Sequence, residues 1–479
     1  MSSREIFDLR KQGRSAEALE LARAEYPEHS TDIWFLRAYA WVLYDHAKQI
    51  VEAFEAKKLS PTALSGQLSP CMREFARIAA PLRGDSAFSQ MLRLAGLVSR
   101  DWQEFLGFAR WAGTNDFSND DKEHFVNEQG KTIDSLQKRF IRAICRETAA
   151  RAVDSHTRPE LIEWGTGVFE QALRDEPNDQ WLNYYRSKLH LVCGEADQAI
   201  KRLAPVLRRQ LRAAWPWALL GEILQTTRPR DALTCFAHAT QVAREEQEVA
   251  KIRIQLAQEL VLAGRFNEAA QQASLALRYR EQHDYKVPQE LQQMLGSDWY
   301  QQAVESACLE YLPKAEPEAL ALLRELDRKS FTYTRGVIDH INTEKALSYV
   351  VTSADIGVGL PHRKFPQIVE WAPGTLVDVG RAEPDGPPLD LRLSEAQSLP
   401  GLCETLAGTL DRQQGKDFAF IRCAPDDVFV PPALAQAFAP GQMIDVVCLA
   451  IRRTNKQGKT GWRAVKFIEG NTQQPSATF

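Results

Sequence analysis

The sequence predicts an α + β multidomain protein in which a long N-terminal α-helical solenoid is followed by two small all-β barrels. Long amphipathic patterns with helical spacing and few β-branched runs fill residues 1–325. Short apolar runs broken by Gly and Pro fill the remainder, and a repeated segment there indicates two copies of one β unit. We expect the solenoid at 1–325, the barrels at 330–382 and 400–470, and a disordered tail at 471–479.

The clearest helical repeats lie at residues 181–278. Small alanines recur at Ala199, Ala232 and Ala269, with spacings of 33 and 37 residues. A small side chain lets two helices approach closely, and each helix pair buries its apolar face only by stacking on the next. This pattern resembles the tetratricopeptide repeat, whose period is about 34 residues. The resemblance implies a curved array whose concave surface binds a protein or peptide partner; a structural spacer is the alternative.

The two predicted barrels share matching segments. Residues 372–379 and 439–446 are identical at five of eight positions. Upstream, Gly336 and Gly408 begin runs that also correspond to each other. We interpret this as a tandem duplication of one barrel of about 65–70 residues, a size compatible with a small independent domain.

The first copy has lost most of its aromatic residues. Leu347 stands where the second copy has Phe418, and only Tyr349 keeps an aromatic ring. Gly357 stands where the second copy has Phe429. The second barrel is therefore the better candidate for ligand binding, and the first would assist it or serve as a spacer.

Three phenylalanines of the second copy form the main candidate site. Phe418 and Phe420 alternate within Lys416–Ile421, so both side chains emerge on one face of the predicted strand. Phe429 lies in the next predicted strand, within Asp427–Pro432. Exposed aromatic rings on such a face can stack on unpaired bases whatever the sequence. The same phenylalanines could instead fill the barrel core.

These motifs resemble the cold-shock form of the OB barrel over residues 404–468, and more closely the N-terminal barrels of the ribonuclease II and ribonuclease R family. The resemblance implies that the three phenylalanines and Lys416 contact RNA or single-stranded DNA. The tryptophan position of the first cold-shock strand is Asp411 or Arg412 here. The resemblance therefore implies a smaller aromatic surface than that of a dedicated cold-shock protein.

Basic residues follow the phenylalanines. Between Arg452 and Lys466 there are six cations and no acid, around a hairpin tip predicted at 455–458. Phosphate neutralisation by such a cluster would make binding salt-sensitive, whereas a merely solvated hairpin is the alternative. Trp462, among these cations, could stack on a further base. The predicted nucleic-acid-binding residues are Lys416, Phe418, Phe420, Arg422, Phe429, Arg452, Arg453, Lys456, Lys459 and Trp462.

Composition limits the remaining function classes. The net charge of −4 over 479 residues requires that any nucleic-acid contact come from local patches. The eight cysteines show no metal-binding spacing, which predicts free thiols in a reducing compartment and neither metal nor cofactor. The sequence shows no signal peptide and no long apolar run, so we expect a cytoplasmic protein that does not span a membrane.

Motifs for catalysis are weak. Arg151 and His156 have a spacing that resembles HEPN-type ribonucleases, but other histidines have such an arginine upstream too. We therefore expect a non-catalytic adaptor that binds a protein partner through the solenoid and RNA or single-stranded nucleic acid through the barrels. The alternatives are a pure protein–protein scaffold whose barrels no longer bind nucleic acid and, more remotely, a HEPN-like ribonuclease.

Overall fold

The chain folds into a helical unit and a β-rich unit, which divide between Leu323 and Arg324. The structure, a computed structural model, describes residues 2–306, 308–382, 384–455 and 458–468. The predicted tail at 471–479 lies outside these residues.

Helices make up most of the first unit. They are α1 (Ser2–Lys11), α2 (Ser15–His29), α3 (Ile33–Glu55), α4 (Pro61–Ile78), α5 (Ser86–Leu97), α6 (Phe105–Ala112), α7 (Asn119–Lys122), α8 (Leu136–Arg151), α9 (Pro159–Asp175), α10 (Gln180–Val192), α11 (Ala196–Arg209), α12 (Ala214–Leu224), α13 (Pro229–Val242), α14 (Glu246–Leu262), α15 (Phe266–Gln282), α16 (Gln289–Leu295) and α17 (Asp298–Glu305). The division between the units falls within α18 (Glu316–Ser330). A small hairpin is formed by β1 (Phe125–Val126) and β2 (Thr132–Ile133).

Several helix pairs are joined by the same glycine turn. Gly13, Gly194 and Gly264 have φ angles of +76°, +74° and +72°, a left-handed conformation that favours glycine. In each turn the residue after the glycine donates its amide hydrogen to the carbonyl five residues back, at 2.9–3.0 Å. These turns produce the pairs α1–α2, α10–α11 and α14–α15, so the helix pairs predicted at 181–278 are present.

Small residues allow the paired helices to pack closely. Ala199, Ala232 and Ala269 are fully buried, as the repeat pattern predicts. A side chain at Gly221 of α12 would place its Cβ 2.7 Å from the ring of Phe236 in α13. Because no larger residue fits there, the close approach of the two helices depends on that glycine.

The irregular segment 101–135 consists of α6, α7 and the β1–β2 hairpin. Its aromatic residues Trp102, Phe105, Phe108 and Phe117 are buried in the core of the helical unit.

The second unit contains two five-stranded β modules. The first has β3 (Thr332–Asn342), β4 (Leu347–Val351), β5 (Gly357–Pro361), β6 (Leu376–Arg381) and β7 (Asp390–Leu393). The second has β8 (Cys403–Asp411), β9 (Ala419–Arg422), β10 (Val428–Val430), β11 (Met443–Thr454) and β12 (Thr460–Phe467), with α19 (Pro432–Ala435) before β11.

Both modules have the strand order 3-2-1-4-5, counted within each module. The second module is a closed barrel because β10 pairs in parallel with β12, with Val428 opposite Trp462. The first is a five-stranded sheet that extends past residue 382, where we had placed its end, since β7 pairs with β6. The Pro- and Gly-rich segment 381–388 is thus a connection within the sheet.

Register and packing support the predicted duplication. Gly336 in β3 lies against the carbonyl oxygen of Val351, where an added Cβ would be 2.7 Å away. Gly408 in β8 lies in the same way against the carbonyl of Arg422, at 2.4 Å. The two carbonyls occupy corresponding positions of the second strand, so both modules need a glycine at one equivalent close approach.

We expect Gly408→Ala to destabilise the barrel by about 1–3 kcal/mol, because the new methyl group would collide with backbone that cannot rotate away. The matched control is Gly167→Ala in α9, where nothing lies within 4 Å of an added Cβ. The Gly167→Ala substitution is expected to stabilise α9 by about 0.5–1 kcal/mol. Hydrogen-exchange mass spectrometry checks both changes, and undiminished protection of β8 and β9 in Gly408→Ala would contradict the first.

Candidate nucleic-acid interface

The three phenylalanines lie on the outer face of the barrel. Ala419 and Ile421 of β9 are buried in the barrel core, as are Val428 and Val430 of β10. Because side chains alternate along a strand, the phenylalanines between and beside them point the other way. Phe418, Phe420 and Phe429 are partly exposed, which excludes the alternative that they fill the core.

These three rings form one continuous aromatic surface, which we call the phenylalanine platform. Phe420 and Phe429 are direct cross-strand partners. The ring centroids are 5.8 Å apart for Phe418–Phe420, 5.7 Å for Phe418–Phe429 and 5.8 Å for Phe420–Phe429. Strands 2 and 3 of an OB barrel are those that bind oligonucleotides, and β9 and β10 are those strands here.

Two of the predicted cations flank the platform. The Nζ atom of Lys416, which is exposed, lies 5.9 Å from the Phe418 centroid. The guanidinium of Arg422 lies 5.5 Å from the Phe420 centroid. Both are placed to extend the aromatic surface with positive charge.

Arg422, however, is already paired. It binds the carboxylate of Asp427 and, at 3.2 Å, that of Asp411, and the bond to Asp427 raises the pKa of the guanidinium. Asp411 is the cross-strand partner of Phe420. A phosphate would therefore compete with two carboxylates for Arg422, whereas Lys416 makes no ion pair with any described residue.

The strands β11 and β12, together with Lys459 just before β12, carry the remaining described candidates, and Lys456 lies outside the described residues. Arg452 and Lys459 are exposed. The ring of Trp462, 5.9 Å from the Arg452 guanidinium, packs partly buried against the barrel core. Trp462 lies opposite the buried Val428, so the structure does not bring it into the platform.

Arg453 is held by a carboxylate of the first module. Its Nη1 donates to Asp339 Oδ2 at 2.7 Å, and Nη1 of Arg463 donates to Asp339 Oδ1 at 2.6 Å. The Asp339 side chain is fully buried, and Arg453 also lies 5.0 Å over the ring of Tyr349. Arg453 therefore docks the two modules together.

Asp339 and Arg463 are absent from the residues predicted for the site, although they lie at its border with the first module. Arg463 is the cross-strand partner of Phe429, so it lies at the edge of the platform. When the two copies of the β unit are aligned, Asp339 corresponds to Asp411. This correspondence is the one sequence signal that could have identified Asp339.

The second module packs on part of the face of the first module that corresponds to the platform, while Leu347 on that face remains 39% exposed. The ring of Tyr349 lies so close over Gly357 that an added Cβ would be 2.3 Å away. The amide of Thr454 in the second module donates to the carbonyl of Ala354 at 2.9 Å. An apolar cluster between the modules includes Val337 and Ile451.

Of the HEPN-like pair, Arg151 is held by backbone carbonyls whereas His156 is exposed. Arg151 donates to the carbonyls of Ser99 at 3.0 Å and Trp102 at 2.9 Å. His156 is almost fully exposed and contacts Asp154 at 3.1 Å. Arg151 therefore holds the segment between α5 and α6, which contains Ser99 and Trp102.

No group of His, Cys, Asp and Glu in the described part of the chain could hold a metal ion. Over the same residues, no helix has both the length and the apolar character required to cross a membrane.

Two family models match parts of the chain. Residues 404–467 match S1/CSD-like domain 2 of the TOTE conflict systems. Residues 180–319 match a domain of unknown function, DUF7017. The chain has no match among curated proteins.

Two solved yeast structures are similar to the chain. The TPR2AB-domain:pHSP90-complex of Sti1 has 12% identity and a TM-score of 0.23, with 63% of this chain and 97% of that chain covered. Tom70 has 11% identity and a TM-score of 0.28, with 66% of this chain and 61% of that chain covered. With its paired helices and β modules, the chain has the fold class predicted from its sequence, a helical array followed by two small β units, except that the first unit is a five-stranded sheet and not a closed barrel.

Proposed function

We propose that this protein is a non-catalytic adaptor that binds RNA or single-stranded DNA on the phenylalanine platform and a protein partner on the helical array. The observation that carries the proposal is the platform itself. Three phenylalanine rings in mutual contact lie outside the barrel core, on the strand pair with which OB barrels bind oligonucleotides. The match to an S1/CSD-like domain supports the same assignment.

Binding would combine base stacking with a small number of phosphate contacts. Stacking on an aromatic side chain contributes about 1–3 kcal/mol per base and tolerates any base. Among the described candidates, Lys416, Arg452 and Lys459 are exposed cations that form no ion pair with a described residue. Since Arg422 and Arg453 already bind carboxylates, we expect modest affinity from this barrel alone.

The helical array supplies the second half of the adaptor. Stacked helix pairs form extended surfaces that suit protein partners. The eight free cysteines support a reducing, cytoplasmic compartment. The first β module serves to dock the second, because its buried Asp339 binds Arg453 and Arg463 of the second module.

The proposal is tested by titrating the full-length protein into labelled oligouridine and oligothymidine at two salt concentrations. We expect binding that weakens with salt. Arg452→Gln/Lys459→Gln should lower the slope of log affinity against log salt by about 1.4, since each lost phosphate contact removes about 0.7 for a single strand. Lys251→Gln, an exposed site on the array, is the control and should leave the slope unchanged.

The rival function is a protein–protein scaffold whose barrels have lost nucleic-acid binding. The carboxylates of Asp411 and Asp427 beside the platform are the observation that favours it. If neither oligonucleotide binds at low salt, the rival is correct and the adaptor proposal fails.

A further inference from the structure

The helical unit contains an open cleft of about 510 Å³, formed by α5, α8, α10 and the β1 strand. Its volume lies in the range of ligand-binding clefts. Apolar side chains reach the surface there: Leu97 is 64% exposed, Phe125 50% and Trp181 37%. Clustered exposed apolar groups of this kind mark interaction sites.

The charged lining of the cleft is entirely positive. Four arginines and no carboxylate line it among the described residues: Arg93, Arg139, Arg142 and Arg146. Two of the four are neutralised from outside the cleft. Arg142 binds Asp179 at 2.5 Å and also Asp134, and Arg146 binds Glu147 at 2.9 Å.

The other two arginines provide the excess charge. The carboxylate that comes nearest to Arg93 is that of Asp121, at 3.9 Å. Arg139 makes no ion pair with any described residue. Burial lowers the pKa of Arg139 and the positive charge of Arg93 lowers it further, while the carboxylate of Asp134 offsets part of this effect. An incoming carboxylate would relieve the repulsion between these two guanidinium groups.

We propose that this cleft binds an acidic linear peptide whose carboxylates pair with Arg93 and Arg139 and whose apolar side chains pack on Leu97, Phe125 and Trp181. The inference rests on the proposed function, because it names the chemistry of the protein partner. Charge complementarity selects an acidic segment, and the exposed apolar wall selects leucine or phenylalanine between the acids.

A single-stranded nucleic acid fits the cleft less well. Base stacking needs free aromatic faces, but Trp181 already stacks on Trp215 at 5.0 Å and on Tyr185 at 6.1 Å, which leaves Phe125 as the exposed ring of the described lining for a base. Leu97 offers an aliphatic surface to any ligand. These contacts favour a peptide over a nucleotide chain.

The test uses the full-length protein and a labelled synthetic peptide in which glutamates alternate with leucine and phenylalanine. We expect Arg93→Gln/Arg139→Gln to weaken binding about tenfold or more, the loss typical of arginine anchors in an interface. The exposed pair Arg174→Gln/Arg278→Gln is the matched control and should bind as the wild type does. The same peptide with glutamine in place of glutamate should bind weakly to every variant.

Leu97→Asp is the second variant, since it adds a repelling charge at an exposed site without touching the core. It should also abolish peptide binding, while thermal unfolding midpoints confirm that all variants fold. Absent peptide binding, or equal binding by wild type and Arg93→Gln/Arg139→Gln, overturns the inference. Oligouridine binding that is lost in Arg93→Gln/Arg139→Gln also overturns the inference, because the cleft would then be a nucleic-acid site. Oligonucleotide binding by the phenylalanine platform is measured in a separate titration. Failure of the peptide site and failure of the proposed function are therefore distinguishable.

Discussion

Asp339→Ala is expected to destabilise the β-rich unit by about 3 kcal/mol, because removing one partner of a buried ion pair leaves the other without compensation. The Asp339 side chain is fully buried and accepts hydrogen bonds from Arg453 and Arg463. Both arginines are about one-third exposed, so water compensates part of the lost interaction. We therefore expect a loss at the lower end of the range for buried pairs.

Hydrogen-exchange mass spectrometry measures this loss where it occurs, in β3, β11 and β12. Asp385→Ala is the matched control, because Asp385 is exposed and its removal should change stability by less than about 0.5 kcal/mol. Equal protection in the two variants would show that Asp339 does not hold the modules together.

Phe418→Ala/Phe420→Ala is expected to weaken oligouridine binding roughly 30-fold or more, since each ring contributes at least about 1 kcal/mol by stacking. The barrel should remain folded because both rings lie outside its core. Phe266→Ala, at a 44% exposed site on the helical array, is the matched control. Fluorescence anisotropy measures the affinities. Unchanged affinity of the double variant would show that the platform does not bind the oligonucleotide.

Local periodicity predicted the elements that depend on neighbouring residues. Strand alternation placed Phe418 and Phe420 on one face, and small residues such as Ala199 marked the helix contacts. The same alternation applied to β12 would have placed Trp462 on the core side, because it shares a face with the buried Ala464.

Local periodicity does not predict contacts between segments that are distant in the sequence. Arg453 and Arg463 lie 114 and 124 residues from Asp339 in the sequence, so their pairing depends on how the two modules dock. The pairing of Arg422 with Asp411, between β9 and β8, depends on the strand register. The sequence therefore predicted that Phe418 and Phe420 share one outer face, but not which of the neighbouring cations are already paired.

Ultraviolet cross-linking of oligouridine to the full-length protein, followed by mass spectrometry, tests the central claim most directly. If the phenylalanine platform binds single-stranded nucleic acid, cross-links will concentrate on peptides that contain Phe418, Phe420 and Phe429. They will disappear in Phe418→Ala/Phe420→Ala and persist in Phe266→Ala. Cross-links confined to the helical array or to the β11–β12 hairpin would contradict the account.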